Sequence, residues 1–214
     1  MADGRFIVFE GGDGAGKSTQ ARRLARWLQS VGHDPLVTFE PGDTALGAQV
    51  RALLLHSTME LDPRTEALLY SADKAQHVEE VVRPALAAGR IVICDRYVDS
   101  MIAYQGAGRA LDIAELERLA DWAVGGLVPD LTVLMDVPPA QAMAGKTSLD
   151  RIESAGGGFH ERVRQYFLDL ARRRPEAYLV VNGRDPIDEV SQTIRQRVAN
   201  LLGEPLGSDT FGPI

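Results

Sequence analysis

Short apolar runs, several of them rich in β-branched residues, alternate along the chain with longer stretches in which apolar residues recur every three or four positions. Runs that are apolar at nearly every position are typical of strands buried on both faces of a parallel sheet. Such runs lie at residues 5–10, 34–40, 90–95, 131–137 and 177–183. They predict five parallel strands.

The stretches between these runs carry the period of amphipathic helices. In the first stretch, apolar residues recur from Ala21 to Val31 and arginines fall on the opposite side. Further helices are expected at residues 64–88, 113–127 and 187–201. Pro84 should interrupt the long second helix or start a new turn, because an interior proline removes a hydrogen bond. Strands alternating with helices predict an α/β fold, a sandwich in which helices flank both faces of a five-stranded parallel sheet.

The segment FEGGDGAGKSTQ, residues 9–20, lies between the first strand and the first helix. Gly11, Gly16, Lys17 and Ser18 match the phosphate-binding loop, or P-loop, of nucleoside triphosphatases. Glycines let the backbone curl so that several N–H groups point at one anion, and the helix N-terminus adds its dipole. Lys17 should reach the β- and γ-phosphates, and the Ser18 hydroxyl should complete a magnesium shell. A glycine-rich turn without ligand is the alternative, which the spacing and the flanking elements disfavour.

The residues at the end of the third strand narrow the reaction. Asp95 and Arg96 stand where motors and AAA-type ATPases usually carry two consecutive acids, and the N-K-x-D segment of GTPases is absent from the sequence. An aspartate and an arginine offer one carboxylate for magnesium and one cation for a phosphate. This pair suits phosphoryl transfer between two phosphate-bearing ligands. A surface ion pair between the two residues is the alternative.

Composition excludes some classes of partner. The net charge of −7 argues against a general nucleic-acid partner, whose binding proteins are usually basic. Cys94 is the single cysteine, so neither an intrachain disulfide nor a cysteine zinc cluster is expected, and its apolar run predicts a buried, inert thiol. The sequence contains neither an apolar stretch of about 18 residues nor a signal-peptide pattern, so no membrane partner and a cytoplasmic location are expected.

Four segments together resemble one family. EGGDGAGKST, EPG, DRY and AYQGAGR occur in the order and at the separations found in bacterial thymidylate kinases, and the resemblance runs from about residue 5 to residue 202. It implies transfer of the γ-phosphate of ATP to dTMP to give dTDP, a step of dTTP biosynthesis, with Mg²⁺. It also implies a P-loop fold with a short lid and a homodimer. We therefore place one kinase domain at residues 1–202 and expect the glycine- and proline-rich tail, residues 203–214, to be disordered.

The resemblance implies roles on the donor side. The residues expected to wrap ATP are Gly11, Gly12, Asp13, Gly14, Ala15, Gly16, Lys17, Ser18 and Thr19. Asp13 should point towards the acceptor and contact its sugar or the magnesium shell, Asp95 should position magnesium together with Ser18, and Arg96 should bridge the donor and acceptor phosphates. Arg184, in NGRDP, should contact adenine, unless it is only a solvated turn residue.

On the acceptor side the resemblance implies that the EPG segment lies beside the monophosphate and the sugar. Tyr70 should stack on thymine, unless it is plain helix core, and Ser100 should read the pyrimidine edge. Tyr104 and Gln105 should close the space of a ribose 2′-hydroxyl. Arg109 is a further phosphate candidate. The substrate-binding residues are thus expected to be Glu40, Pro41, Tyr70, Lys74, Arg96, Ser100, Tyr104 and Gln105.

Two positions depart from the family's pattern. Phe39 stands where relatives often carry an arginine before EPG, so another group must supply that cation or acceptor binding weakens. Lys74 replaces an arginine expected to hydrogen-bond thymine, and a lysine lacks the planar fork of an arginine. These departures keep open a kinase for another small acceptor. A nucleotide-dependent binding protein that performs no transfer is a second alternative, which the presence of Lys17, Ser18, Asp95 and Arg96 disfavours, because a protein that only binds does not need both halves of a transfer site.

The lid is a third departure. The family closes a segment with several arginines over the phosphates, whereas residues 142–158 offer only Lys146 and Arg151, and Ala15 brings no arginine from the P-loop. We expect Arg151, in LDRIE, to be the catalytic lid cation, unless it only pairs with a neighbouring acid. The catalytic residues are therefore expected to be Asp13, Lys17, Asp95, Arg96 and Arg151.

Overall fold

The five predicted strands form one parallel sheet in a computed structural model, which describes residues 4–142, 152 and 155–206. The strands run in the order β2-β3-β1-β4-β5. Their bounds are β1 Arg5–Glu10, β2 Pro35–Phe39, β3 Ile91–Asp95, β4 Leu131–Asp136 and β5 Tyr178–Asn182. All four neighbouring pairs are parallel, so the predicted five-stranded parallel sheet is confirmed.

Burial on both faces holds only for the three central strands. Almost every residue of β1, β3 and β4 is buried. In the edge strands Val37, Phe39 and Val180 are exposed, because the helix layers cover the edges of the sheet only in part. The near-continuous apolar pattern therefore overstates the burial of β2 and β5.

The four helices located from the sequence are present with different bounds, and the structure adds others that were not located, among them the 17-residue helix that precedes β5. They are α1 Lys17–Ser30, α2 Ala45–Arg51, α3 Pro63–His77, α4 Arg83–Ala87, α5 Val98–Met101, α6 Ile113–Val124, α7 Pro139–Ala142, α8 Gly157–Arg173 and α9 Ile187–Leu202. Three π-helical segments, Ala52–His56, Val78–Val82 and Ile102–Gly108, follow α2, α3 and α5. The predicted helix 64–88 is thus helical throughout but changes to a π-helix at Val78–Val82, and Pro84, which has no N–H to donate, follows directly after that segment.

Two helix layers cover the sheet. Ile7 and Phe9 face the layer of α1 and α9, where they share a buried cluster with residues such as Leu28 and Ile194. Phe6 and Val8 point to the opposite face, since side chains alternate along a strand, and there they pack near Val78, Val82 and Tyr97. The three-layer sandwich is therefore confirmed.

The strand order brings the sequence motifs to one edge of the sheet. β1 and β3 are neighbours, with Phe9 opposite Asp95, and the Arg96 amide donates to the Phe9 carbonyl at 2.9 Å. β2 lies beside β3, and the Glu40 amide donates to the Asp95 carbonyl at 3.0 Å. Because the carboxyl ends of parallel strands share an edge, the P-loop, the EPG segment and Asp95–Arg96 meet there.

Two expectations fall largely outside the described residues. Most of the expected lid, including Lys146 and Arg151, is among the residues not described, as are residues 207–214 of the tail. Both expectations therefore stay predictions. Among the described helices, none combines the length and the apolar character that crossing a membrane requires.

Candidate active site

The P-loop adopts the backbone that its glycines predict. Gly11, Gly14 and Gly16 have φ values of 131°, 75° and 94°, which only glycine adopts readily. A Cβ at Gly11 would lie 2.4 Å from the Met135 carbonyl oxygen, so the loop also needs glycine for its close approach to β4. Gly16 brings no side chain to the N-terminus of α1, and the first amide groups of that helix remain directed at the loop.

Lys17 lies over this loop. Its ammonium donates to the carbonyl oxygens of Gly11 at 3.1 Å and Gly12 at 2.8 Å. Burial lowers the pKa of Lys17 to about 8, with a further contribution from the neighbouring Arg96 cation. An anionic phosphate in the loop would compensate the ammonium better than two carbonyl dipoles do.

The two expected magnesium ligands meet. The Ser18 hydroxyl donates to Asp95 Oδ2 at 2.5 Å, although the residues lie on α1 and β3. A hydroxyl oxygen and a partly exposed carboxylate are hard donors of the kind that Mg²⁺ prefers, with water and phosphate oxygens completing its octahedron. The donor set therefore fits the ion that the P-loop implies.

Arg96 forms the centre of the site. Its side chain is 17% exposed, and it donates to Asp13 at 2.5 Å, Ser100 Oγ at 2.9 Å and the Gly11 carbonyl at 3.1 Å. Its guanidinium also lies 5.1 Å from the Tyr104 ring centroid. The alternative of a surface ion pair with Asp95 is therefore wrong, because the observed partner is Asp13 of the P-loop.

The backbone of Arg96 is strained. Its φ is 74°, a left-handed conformation that costs an L-residue about 1–2 kcal/mol. Such strain persists only where surrounding contacts hold it in place, and it clusters at functional sites. The contacts with Asp13 and Ser100 hold the guanidinium towards the P-loop.

Asp13 is fixed from two sides. Besides the Arg96 pair, its Oδ2 accepts from the Tyr104 hydroxyl at 3.0 Å. Burial raises the pKa of Asp13, but the charges of Arg96 and Lys17 outweigh it and hold that pKa well below its usual range. Asp13 is thus an anion at all physiological pH values, held between the donor loop and the π-helical segment that carries Tyr104.

The EPG segment is anchored from inside the protein. Glu40 is buried, precedes the cis-proline Pro41, and accepts from Lys74 Nζ at 2.5 Å. Its second oxygen lies 2.7 Å from His77 Nδ1. Burial raises the pKa of Glu40, but the Lys74 ammonium more than offsets this and lowers the pKa, so the pair stays ionised. One N–H of the Lys74 ammonium is therefore donated to Glu40, and the role of Lys74 in reading thymine stays a prediction.

One cavity of about 670 Å³ joins the two halves of the site. All eight residues expected to bind the acceptor line it, namely Glu40, Pro41, Tyr70, Lys74, Arg96, Ser100, Tyr104 and Gln105. Six expected donor residues of the P-loop region and Asp95 line the same cavity, namely Asp13, Gly14, Gly16, Lys17, Ser18, Thr19 and Asp95. The motifs therefore converge on a space with room for two ligands.

Two predicted arginines lie elsewhere. Arg109 pairs with the buried Glu66 at 3.3 Å and lies over the Phe159 ring, so its contacts here are structural and its phosphate contact stays a prediction. Arg184 is exposed and donates to the Gln141 carbonyl at 2.5 Å. Its neighbour Gly183 packs against the Ala15 carbonyl, so the NGRDP loop does touch the P-loop.

The structure adds residues that the sequence did not single out. Arg51, on α2, lines the cavity, donates to the Pro41 carbonyl at 2.7 Å and lies over the Phe39 ring. It supplies a cation beside EPG where Phe39 brings none.

Glu66 is a second such residue, and it accepts from Gln105 Nε2 at 2.7 Å. The other polar atom of that amide, Gln105 Oε1, is buried without a partner among the described residues.

Comparison with known proteins agrees with this geometry. The sequence profile of the family described as thymidylate kinase matches residues 9–194. Thymidylate kinases from Cutibacterium acnes and Deinococcus radiodurans are 58% and 49% identical over 200 and 197 residues, which cover 93% and 91% of this chain and 98% and 96% of those proteins. The chain belongs to the thymidylate kinase family. It is accordingly a nucleoside monophosphate kinase, a phosphotransferase that acts on dTMP.

The fold leads to the same family. A crystal structure of thymidylate kinase from Ehrlichia chaffeensis matches with a TM-score of 0.71 and 35% sequence identity, over 84% of this chain and 93% of that one. These comparisons support the predicted activity over the two alternatives, a kinase for another small acceptor and a binding protein that performs no transfer.

Proposed function

We propose that this chain transfers the γ-phosphoryl group of ATP to dTMP through the contacts described above, with Mg²⁺ held by Ser18 and Asp95. The single observation that carries the proposal is the shared cavity, in which the P-loop and the predicted acceptor residues face each other across Arg96. Transfer requires the donor phosphate and the attacking oxygen to be in line and close together.

The donor half would bind the triphosphate chain of ATP. The glycine backbone and the N-terminus of α1 present N–H groups, and Lys17 replaces its two carbonyl contacts by contacts with the β- and γ-phosphates. Arg184 and Gly183, next to the P-loop, remain our candidates for the adenine side.

The magnesium ion, when bound, would neutralise charge on the β- and γ-phosphate oxygens during transfer. Ser18 Oγ and the Asp95 carboxylate approach each other at the end of the P-loop, so both can turn one oxygen to the same ion or to its water ligands. Asp13, whose charge is already balanced by Arg96, is less suited to this task.

Arg96 would stabilise the phosphoryl group as it moves. Its guanidinium is held in place before substrate arrives, so little reorganisation is needed when charge develops on the transferring group. The attacking atom in this reaction is an anionic phosphate oxygen, so the site needs no general base. Electrostatic stabilisation and positioning therefore supply the catalysis.

The acceptor half would hold dTMP. Arg51 lies beside Pro41 and replaces the cation that Phe39 lacks, so we assign it to the monophosphate. The Tyr104 hydroxyl is tied to Asp13, which fixes the ring where it would exclude a 2′-hydroxyl. Gln105 Oε1 needs a donor, because a buried unpaired acceptor costs about 1–3 kcal/mol, and the base or sugar can supply one.

Two further expectations belong to the proposal. Arg151, with Lys146 as the alternative, would supply the lid cation, and the enzyme would act as a homodimer. Leu68 on α3 and Trp122 on α6, which is 80% exposed, give two packed helices an apolar outer surface that a second copy could cover. Sedimentation of wild type against Trp122→Glu checks the dimer, which should dissociate in the variant.

A panel of acceptors tests the proposal. ADP release from ATP and Mg²⁺ is measured with dTMP, dUMP, dCMP, dGMP and AMP side by side. We expect dTMP to give the highest kcat/KM by at least about tenfold, which corresponds to roughly 1.4 kcal/mol of transition-state binding. Equal rates with all five acceptors, or a higher rate with a purine nucleotide, would contradict it.

A further inference from the structure

Glu10 is a buried carboxylate that the mechanism above does not use. It is the last residue of β1, directly before the P-loop, and its side chain is fully buried. It lies on the side of the sheet that faces α5. Arg96 and Ser100 line the substrate cavity, whereas Glu10 does not. Glu10 therefore has no direct contact with a ligand in that cavity, and its contacts reach the site through other residues.

The contacts of Glu10 concentrate on the turn that follows Arg96. Its Oε1 accepts from the amides of Tyr97 at 2.9 Å and Ser100 at 3.1 Å, and its Oε2 accepts from the Ser100 hydroxyl at 2.5 Å. Both amides belong to the backbone segment that carries the strained Arg96 into α5. One carboxylate thus ties this segment to the strand that leads into the P-loop.

The contact with Ser100 has a consequence for Arg96. A hydroxyl has one proton and two lone pairs, and the Ser100 proton is directed to Glu10. Ser100 Oγ therefore presents lone pairs to the cavity side, where it accepts from Arg96 Nη1 at 2.9 Å. Without an acceptor at Glu10, the Ser100 proton could turn towards the guanidinium and oppose it.

We propose that Glu10 is a positioning residue that orients the Ser100 hydroxyl and thereby holds the Arg96 guanidinium in its reactive place. The inference rests on the proposed role of Arg96 in phosphoryl transfer. It also limits Ser100, which can contact the pyrimidine only as a hydrogen-bond acceptor while Glu10 is ionised.

Glu10→Gln is the sharpest perturbation, because it keeps the shape and replaces one acceptor by a donor. The amide nitrogen of the glutamine must face either the two backbone amides or the Ser100 hydroxyl. If it faces the hydroxyl, Ser100 loses the oxygen that accepts its proton. Ser100→Ala removes the same bridge from its other end. Assays at pH 8 keep the wild-type carboxylate mostly ionised, since burial and the nearby Asp99 raise the pKa of Glu10 to about 7.

Steady-state kinetics and thermal unfolding are measured on wild type, both single variants and the double variant. We expect each single variant to lower kcat by about tenfold to a hundredfold, because that is the effect of losing one hydrogen bond to a charged group. KM for ATP should change by less than about threefold. The double variant should lose no more than the worse single variant, because both act on one chain of contacts.

Asp130→Asn is the matched control. Asp130 binds the other end of β1, accepting from the Phe6 amide at 2.8 Å and from Arg5 at 3.1 Å. This control should lower Tm and leave kcat unchanged, which separates anchoring of β1 from positioning of Arg96.

Unchanged kcat in Ser100→Ala overturns the inference whether or not Glu10→Gln folds. Losses in kcat that multiply in the double variant overturn it as well, because they would show two independent effects. A wild type that releases no ADP with dTMP contradicts the proposed function, whereas an active wild type with unaffected variants contradicts only the positioning role.

Discussion

Replacing Arg96 separates its chemistry from its backbone strain. Arg96→Ala removes the cation and keeps the strain at φ 74°, whereas Arg96→Gly removes both. Loss of one preorganised charge stabiliser costs about 2.7–4 kcal/mol of transition-state binding, so kcat should fall by roughly a hundredfold to a thousandfold in both variants. KM for ATP should change little, because Arg96 lies outside the P-loop backbone.

Stability should differ between the two variants. Relief of the left-handed strain stabilises the glycine variant by about 1–2 kcal/mol, and the greater freedom of glycine in the unfolded chain offsets about 0.5–1 kcal/mol of this. A net gain of roughly 1 kcal/mol corresponds to a Tm about 2–4 °C higher than that of the alanine variant for a chain of this size. Both variants leave Asp13 without its guanidinium partner, so this loss cancels in the comparison.

Coupled ADP assays and calorimetry give both quantities from the same preparations. A kcat within about threefold of wild type in either variant would refute the assignment of Arg96 to the transferring phosphoryl group. A Tm of the glycine variant below that of the alanine variant would show that the left-handed conformation stores no strain, because only the greater freedom of glycine in the unfolded chain would then separate the two variants.

Four further changes test other contacts. Lys17→Ala should lower kcat by about a hundredfold or more with little change in Tm, and a near-normal kcat would rule out its phosphate contact. Asp95→Asn should raise the Mg²⁺ concentration needed for half-maximal rate, since an amide binds a hard cation poorly, and an unchanged Mg²⁺ titration speaks against the ligand role. Arg51→Ala should raise KM for dTMP about tenfold or more and leave KM for ATP alone, as loss of a charged hydrogen bond implies, and the reverse pattern would move Arg51 to the donor side. Burial and Glu40 raise the pKa of Asp73 from 3.8 to about 6, so the folded state binds its proton more tightly and wild-type stability falls as pH rises through that window. Asp73→Asn should therefore gain up to about 3 kcal/mol relative to wild type between pH 4 and pH 7 in denaturant titrations, and a pH-independent difference contradicts this.

The donor half of the site could be predicted because its signals are local. The P-loop needs glycine at Gly11 and Gly16 for backbone reasons that one segment contains, and Lys17 follows at a set distance. The meeting of Asp95 with Ser18 was also predictable, because parallel strands end at one edge of the sheet.

Other features depend on contacts between distant segments. The sequence could not show that Arg96 pairs with Asp13, 83 positions away, instead of with the adjacent Asp95. Arg51 lies on a short helix whose position over EPG follows only from the packing of the whole layer. Glu10 reads in the sequence as the polar end of a strand, and only the turn after Arg96 gives it partners.

The helical segments show a related limit. Apolar spacing correctly predicted that residues 64–88 are helical. It could not predict the π-helical segment Val78–Val82, because one wider turn shifts the apolar pattern too little. The positions of the two edge strands were predicted correctly, but their burial was overstated. Val37 and Val180 are apolar and yet exposed, so an apolar residue in these strands does not indicate a buried one.

Direct transfer between two nucleotides in one cavity is the central claim, and following the label of [γ-³²P]ATP tests it most directly. With dTMP and Mg²⁺ present, the label should appear in dTDP one-for-one with ADP, and Arg96→Ala should slow this appearance without diverting the label. Label found mainly in inorganic phosphate, or dTDP formation that the Arg96 variant leaves unchanged, would contradict it.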